Sequence, residues 1–229
     1  HLMPRVVGEG KDRRWVIGED SFLFHACASS AVMLDGEKAK GLTFWDKDIG
    51  KVHRAAHDVH ERVKLMDEQG IYAQIAYPNI LGFGGQRGMA VDAALRLESI
   101  QIYNDTMADM QKDSGDRIFP MALLPWWDIN QSIAETNRCL KMGLKGININ
   151  SDPQDHGIPS LGEKHLDPLW ELCTANSLPV NFHIGASDSS TSWYFSASWP
   201  ELSPEKRLTL GGVMLFITNL RVMANILTS

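Results

Sequence analysis

Apolar positions recur along this chain with two alternating periods. Ala55 or Ala56, Val59, Val63 and Met66 return at helical spacing and Gly70 follows, which predicts a helix over 52–69. The next run, Ile71–Tyr77, is short and apolar, ends at Pro78-Asn79 and is followed by a Gly82–Gly85 loop; it reads as a buried strand. Residues 89–112 give a long helix with Leu95, Ile102, Tyr103 and Met110 inside. Strand Ile118–Leu124 follows, closed by Pro125-Trp126-Trp127. Asp128 is an N-cap for a helix over 129–142. Leu144–Ile149 is a strand, and Asn150-Ser151-Asp152-Pro153 its loop. A helix over 165–176 carries Leu166, Leu169, Trp170 and Cys173, and Pro179–Ile184 is the fourth strand. Ser203-Pro204-Glu205 reads as N-cap, first position and first-turn acid of a last helix. Residues 1–50 are different. Glycines punctuate them, and the short clusters Trp15–Ile17 and Phe22–Phe24 predict an arm or excursion loop with a small hairpin.

Helix and strand therefore alternate through residues 51–229. Repeated βα units imply a parallel sheet with right-handed crossovers. No Gly-x-Gly-x-x-Gly follows any strand, which removes the dinucleotide-binding version of such a sheet. Short strands with glycine- and aromatic-rich loops at their C-terminal ends favour an α/β fold of the (β/α)8 TIM-barrel type. Four strands are half of eight, so we expect a single partial barrel domain over 1–229, with 1–50 as its arm.

Composition narrows the partners. Apolar residues make up 44% and charged residues 22%, the proportions of a globular chain able to form a core. The net charge of −6 is spread along the chain without a basic run, so nucleic acid is not an expected partner. Cys27, Cys139 and Cys173 are odd in number and far apart, which fits a reducing cytoplasm better than a disulfide framework. Residues 1–20 lack the apolar core of a secretory signal. Leu210–Ile217 is the most apolar stretch. Asn219, Arg221 and Asn225 follow it, so no membrane span is expected.

The candidate chemistry centres on Leu178-Pro-Val-Asn-Phe-His183-Ile-Gly185. A histidine closing an apolar run just before a glycine loop sits where barrels carry their active sites. Its neutral imidazole can bind a divalent metal; the alternative is a core histidine satisfied by a backbone carbonyl. Polar and aromatic residues at the other strand ends, Tyr77, Asn79, Trp126, Trp127, Asn148 and Asn150, would lie near the same end of a parallel sheet. Of these, Tyr77, Asn79, Trp126 and Asn150 are the candidate substrate-binding residues. His53, His57 and His60 share one face of the expected helix, where a solvated polar face is the plainer reading. Arg54 stands where a His-Glu-x-x-His motif would carry its glutamate. There is no Gly-x-Ser-x-Gly elbow. Ser187, Ser189, Ser190 and Ser192 belong to an expected mobile loop or lid, and Trp193, Tyr194 and Phe195 either line an apolar pocket with Trp126 and Trp127 or pack on the barrel rim.

Several segments in order resemble the amidohydrolase-related proteins, the metal-dependent barrel group that includes aminocarboxymuconate-semialdehyde decarboxylase and aryl-acid decarboxylases. They are Arg62–Gly70 leading into Ala76-Tyr77-Pro78-Asn79, then Gly82-Phe83-Gly84-Gly85, Leu144–Asn150, Asn181-Phe182-His183-Ile184-Gly185, and Asn219–Ser229. The resemblance implies a hydrolase or decarboxylase of a small carboxylated, aromatic or cyclic substrate. It implies a divalent metal, zinc with manganese or iron as alternatives, and His183 as its ligand at the end of the fifth strand. The family's first-strand pair, His-x-His or Glu-x-His, has no counterpart: the only Glu-x-His is Glu163-Lys164-His165 at a helix start. By this resemblance the chain covers strands two to five and carries one of about four ligands. Either it belongs to such an enzyme or it is an inert, truncated barrel acting as a scaffold. A half barrel leaves parallel edges exposed, so a homo-oligomer is expected.

Overall fold

In the computed structural model, residues 2–9, 12–26, 32–39, 43, 47–190 and 201–228 are described. Cys27, Ser192, Trp193, Tyr194 and Phe195 lie outside them.

The N-terminal clusters build more than a hairpin. β1 (Arg5–Val7), β2 (Arg14–Ile17) and β3 (Ser21–His25) form an antiparallel meander in that order. Gly18, at φ +63°, opens the turn between β2 and β3 in the left-handed region that glycine adopts without strain. Ile17 and Leu23 turn inward to pack with Leu81, Val91, Ile100 and Leu123, so the arm is stitched onto the βα layer.

The expected helix over 52–69 starts late. α1 runs Val59–Glu68 and is capped by the Asp58 side chain, which accepts from the amides of His60 at 2.9 Å and Glu61 at 3.1 Å. Before it, Arg54–Ala56 is a separate 3-10 turn capped by His53 Nδ1. A side chain that satisfies helix-terminal amides fixes the start, and the apolar spacing upstream does not extend it. His53, His57 and His60 therefore do not share a helix face.

The βα alternation follows as expected: β4 (Gln74–Ala76), α2 (Ala93–Asp113), β5 (Ile118–Pro120), β6 (Ala122–Leu123), α3 (Ile129–Met142), β7 (Ile147–Asn148), α4 (Asp167–Ala175), β8 (Val180–Asn181) and α5 (Pro204–Leu227). β4 pairs with β5, β6 with β7, and β7 with β8, all parallel. Only Met121 separates β5 from β6. Its amide bonds Ala76 O at 2.9 Å, and the next amide, of Ala122, bonds Gly146 O at 2.9 Å. Pairing thus passes from β4 through the β5–β6 segment and β7 to β8, four strands in a row. No closed barrel is formed among the described residues.

The ladders are shorter than the apolar runs that predict them. Asn104 of α2 supplies one reason: its amide donates to Leu123 O and accepts from Leu123 N, both at 2.9 Å, doing the work of a neighbouring strand. Glu135 holds that amide at 2.7 Å and is itself paired with Arg138 at 2.7 Å. The main core lies between the strands and α3 and α4, around Leu124, Ile147, Ile149, Leu161 and Leu169. Cys139 and Cys173 are free and buried, and burial pushes both thiols above their ordinary range.

α5 corrects the reading of the C-terminal apolar stretch. Thr209–Leu227 is long and apolar enough, by length and composition, to cross a membrane, well beyond the eight residues of Leu210–Ile217. In this fold the helix is instead held to the sheet by polar contacts. Asn219 donates to Phe182 O at 3.2 Å, and Arg221 pairs with Asp152 at 2.8 Å.

Candidate functional site

The C-terminal ends of β4, β7 and β8 meet around His183. Phe83, from the loop after β4, stacks on the imidazole with centroids 4.4 Å apart and an 18° interplanar angle. Tyr77, just past β4, meets it edge-on at 5.0 Å and 70°. Both rings are tied down. Asn148 Nδ2, at the end of β7, donates to the Phe83 carbonyl. Tyr77 Oη donates to Asn181 Oδ1 at 3.1 Å, and the Asn181 amide donates to Ile147 O at 3.1 Å. Three strands thus fix the plane of one imidazole.

Nδ1 faces the Ile184 carbonyl oxygen. A proton on Nδ1 would bond that oxygen and leave the lone pair on Nε2, the arrangement a metal-binding or proton-accepting histidine uses. Among the described residues, however, no three His, Cys, Asp or Glu side chains gather as a metal site. A catalytic divalent ion needs about three protein ligands. The described residues offer one imidazole donor and do not by themselves make up a metal centre.

Behind this site lies a buried polar layer. Gly84 packs so tightly that an added Cβ would press on the Ala186 carbonyl and stand 2.9 Å from Asn150 Cα. Gln86 clamps the same loop, accepting from Gly84 N at 2.9 Å and donating to Gly185 O at 3.0 Å. Asp152, after β7, is buried and receives Ser187 Oγ, Ser151 Oγ, Gln154 Nε2 and Arg221 of α5. Ser189 donates twice to Asp155, and His156 Nε2 stands 3.3 Å from Asp188. Ser187 and Ser190 are buried and bonded to each other at 2.8 Å. The described part of the expected lid, 185–190, is fastened by these bonds, and its remaining residues, 191–195, lie outside the described residues.

The expected site residues separate into two groups. Tyr77 touches His183. Asn79 is exposed and lines a groove of about 620 Å³ between α1, β4 and α2, together with Tyr77, Ile102 and Tyr103. Trp126 and Asn150 are buried. Trp126 packs edge-on to Trp127 and 5.4 Å from the His156 ring, while Asn150 accepts from the Asp152 amide at 2.8 Å. His165, in the Glu163–His165 segment, sits in the 3-10 turn Lys164–Leu166 that precedes α4. Phe83, Asn181 and the Asp152–Ser187–Arg221 network were not legible. The glycines around Phe83 and the Asn181-x-His183 spacing are the signals that could have pointed to the first two.

A family model described as amidohydrolase matches residues 25–224. Solved structures share the fold at low identity. An amidohydrolase from Mycobacterium avium subsp. paratuberculosis K-10 is 18% identical with a TM-score of 0.59, covering 98% of this chain and 59% of that one. A putative amidohydrolase from Staphylococcus aureus is 20% identical at 0.58, covering 77% and 55%. A dihydroxybenzoic acid decarboxylase from Polaromonas sp. JS666, solved with bound manganese and the inhibitor 2-nitroresorcinol, is 20% identical at 0.52, covering 82% and 57%. This chain thus spans little more than half the length of these relatives. A search of curated proteins found no match.

Proposed function

Because the chain belongs to the amidohydrolase family, we propose that it carries the His183 portion of a metal-dependent hydrolase or decarboxylase. The substrate class we assign is a small carboxylated molecule with an aromatic or cyclic body. The observation that carries this reading is the clamped imidazole: Phe83 and Tyr77 hold the ring, and Nε2 is left as its donor atom. Precise orientation by surrounding contacts is what a ligand or proton acceptor needs, and a histidine serving only the core does not.

In this reading His183 is one metal ligand, and the remaining ligands come from outside the described residues. The family's metal supplies charge stabilisation or an activated water at neutral pH; zinc, manganese or iron would serve. Tyr77 and Phe83 present an aromatic wall suited to a flat ring, and Asn79 borders the adjoining groove. Asn150 and Trp126 are buried next to Gly84 and Gly85 of the loop that carries Phe83. A relative of similar fold was solved with 2,6-dihydroxybenzoate, which supports a carboxylated aromatic ring as the first substrate to try. The family match does not favour an inert scaffold.

The test is carbon dioxide release or ester and amide hydrolysis across a panel of hydroxybenzoates and cyclic carboxylates, with manganese or zinc supplied. The expected result is turnover that falls at least about 100-fold in His183→Ala, as loss of a metal-site residue does. Turnover unchanged in that variant contradicts the assignment.

A further inference from the structure

Gln86 spends both halves of its side-chain amide on the backbone of the two loops that flank His183. It is 5% exposed and opens the 3-10 turn Gln86–Ala90 after the glycine loop. Its Oε1 accepts from the Gly84 amide at 2.9 Å, and its Nε2 donates to the Gly185 carbonyl at 3.0 Å, 99 positions away. Gly82 leaves the room this needs, because a Cβ there would press on the same Oε1. A buried amide is penalised unless its donor and acceptor are both met, so this side chain has one good seat.

Each bond reaches His183 by its own route. Gly84 directly follows Phe83, whose ring lies 4.4 Å from the imidazole and nearly parallel to it. The peptide unit between Phe83 and Gly84 is gripped at both edges: Gln86 takes its N–H, and Asn148 donates to its oxygen. On the other side, Gly185 lies in the turn closed by the Ala186 amide, which donates to His183 O at 3.0 Å. One side chain therefore joins the stacking ring to the turn that carries the imidazole.

We propose that Gln86 is a positioning residue: by tying the Gly84 amide to the Gly185 carbonyl, it keeps Phe83 on the face of His183 and sets the direction of His183 Nε2. It acts through Phe83 and His183 and not on the substrate. The inference rests on the role given to His183 above, since a ligand or proton acceptor is the kind of group whose direction matters. Shape and polarity of the side chain can be separated. Glutamate has the same shape, but when ionised it keeps only the acceptor and turns a charge on the Gly185 carbonyl. When protonated it regains an O–H donor and with it both bonds. Methionine offers neither.

The test compares Gln86→Glu and Gln86→Met with wild type in the protein with its remaining metal ligands present and zinc supplied. One readout is the ring-proton resonance of isotope-labelled histidine, assigned to His183 by its loss in His183→Ala. The other is turnover of the hydroxybenzoate panel. At about pH 8 both variants should lose the ring-current shift that Phe83 imposes on His183, and kcat should fall at least about 10-fold with KM changed less than about twofold. Gln86→Glu alone should recover towards about pH 6, taken as a ratio to wild type at each pH, because burial lets a carboxyl hold its proton to higher pH. If Gln86→Met fails to fold, Gln86→Glu across pH carries both readouts. A wild-type His183 resonance in either variant at pH about 8 overturns the proposal, as does a shifted resonance with unchanged kcat or a Gln86→Glu ratio that does not rise as pH falls. A wild type without turnover on the panel would sink the reaction assigned above, and the His183 resonance, which needs no substrate, would still decide for or against the clamp.

Discussion

Ile147 and Ile75 belong to the same run of parallel strands, yet they meet opposite surroundings. Ile147, in β7, is completely buried between neighbouring strands and the helices over them, whereas Ile75, in β4, is 59% exposed. β7 has a strand on each side, and among the described residues β4 pairs only with β5. The same contrast holds for α5, whose inner side is fastened to Asp152 while its outer side is bare. The middle of the chain is a finished structure flanked by two unfinished surfaces. Local sequence does not distinguish them, because both isoleucines lie in short apolar runs. What differs is whether a neighbour is present.

Substitutions along this gradient should lose effect from the centre outward. Ile147→Ala should lower stability by about 3 kcal/mol through lost burial and a residual cavity, read as a shifted urea midpoint with an unchanged slope. Asp152→Ala comes next, at about 2 kcal/mol. It strands Ser187, Ser151 and Arg221, but Arg221 is half exposed and water screens part of its loss. Its signature should be local: faster amide exchange in α5 and the 185–190 loop. Equal acceleration throughout would mean that the network does not fasten the helix.

Gly84→Ala tests how tightly the loop is seated on the polar layer. Its methyl has no room beside Ala186 and Asn150, so about 1–2 kcal/mol should be lost. Phe83 should move with the loop, visible as a changed ring-current shift on the His183 protons. An unshifted His183 resonance would separate the loop from the clamp. A smaller effect belongs to α1. The Glu61 amide, followed by that of His60, holds the Asp58 carboxyl below its usual range. A carboxyl depressed in the folded state stabilises above its unfolded value, and that contribution disappears as pH falls through the folded one. Helical signal from α1 should therefore fray below about pH 4. Asp58→Asn keeps a capping oxygen and should remove that pH dependence. Ile75→Ala should change stability least, by under about 0.5 kcal/mol. A loss approaching that of Ile147→Ala would show that β4 has a cover in solution and would end the comparison.

The elements legible in the sequence are those with strong local signals. α3 occupies the 129–142 span expected behind Asp128, and Ser203 caps the last helix. The parallel βα order was legible for the same reason. Helix α1 was overextended because apolar spacing continues upstream of Asp58. The strands came out short because Asn104, far away in sequence, bonds both backbone groups of Leu123. His183 and Tyr77 could be chosen from their place at strand ends. The contacts that fix them, from Phe83, Asn148 and Asn181, join residues up to 104 positions apart and have no period. The Asp152–Ser187–Arg221 network is invisible for the same reason.

Calorimetric titration of zinc and manganese into the protein with its remaining metal ligands present, beside His183→Ala and Tyr77→Phe, tests the central assignment most directly. The account predicts a binding event that depends on His183, at least about 10-fold weaker when Tyr77 loses the hydroxyl that holds its ring. Equal metal binding by wild type and His183→Ala would contradict it.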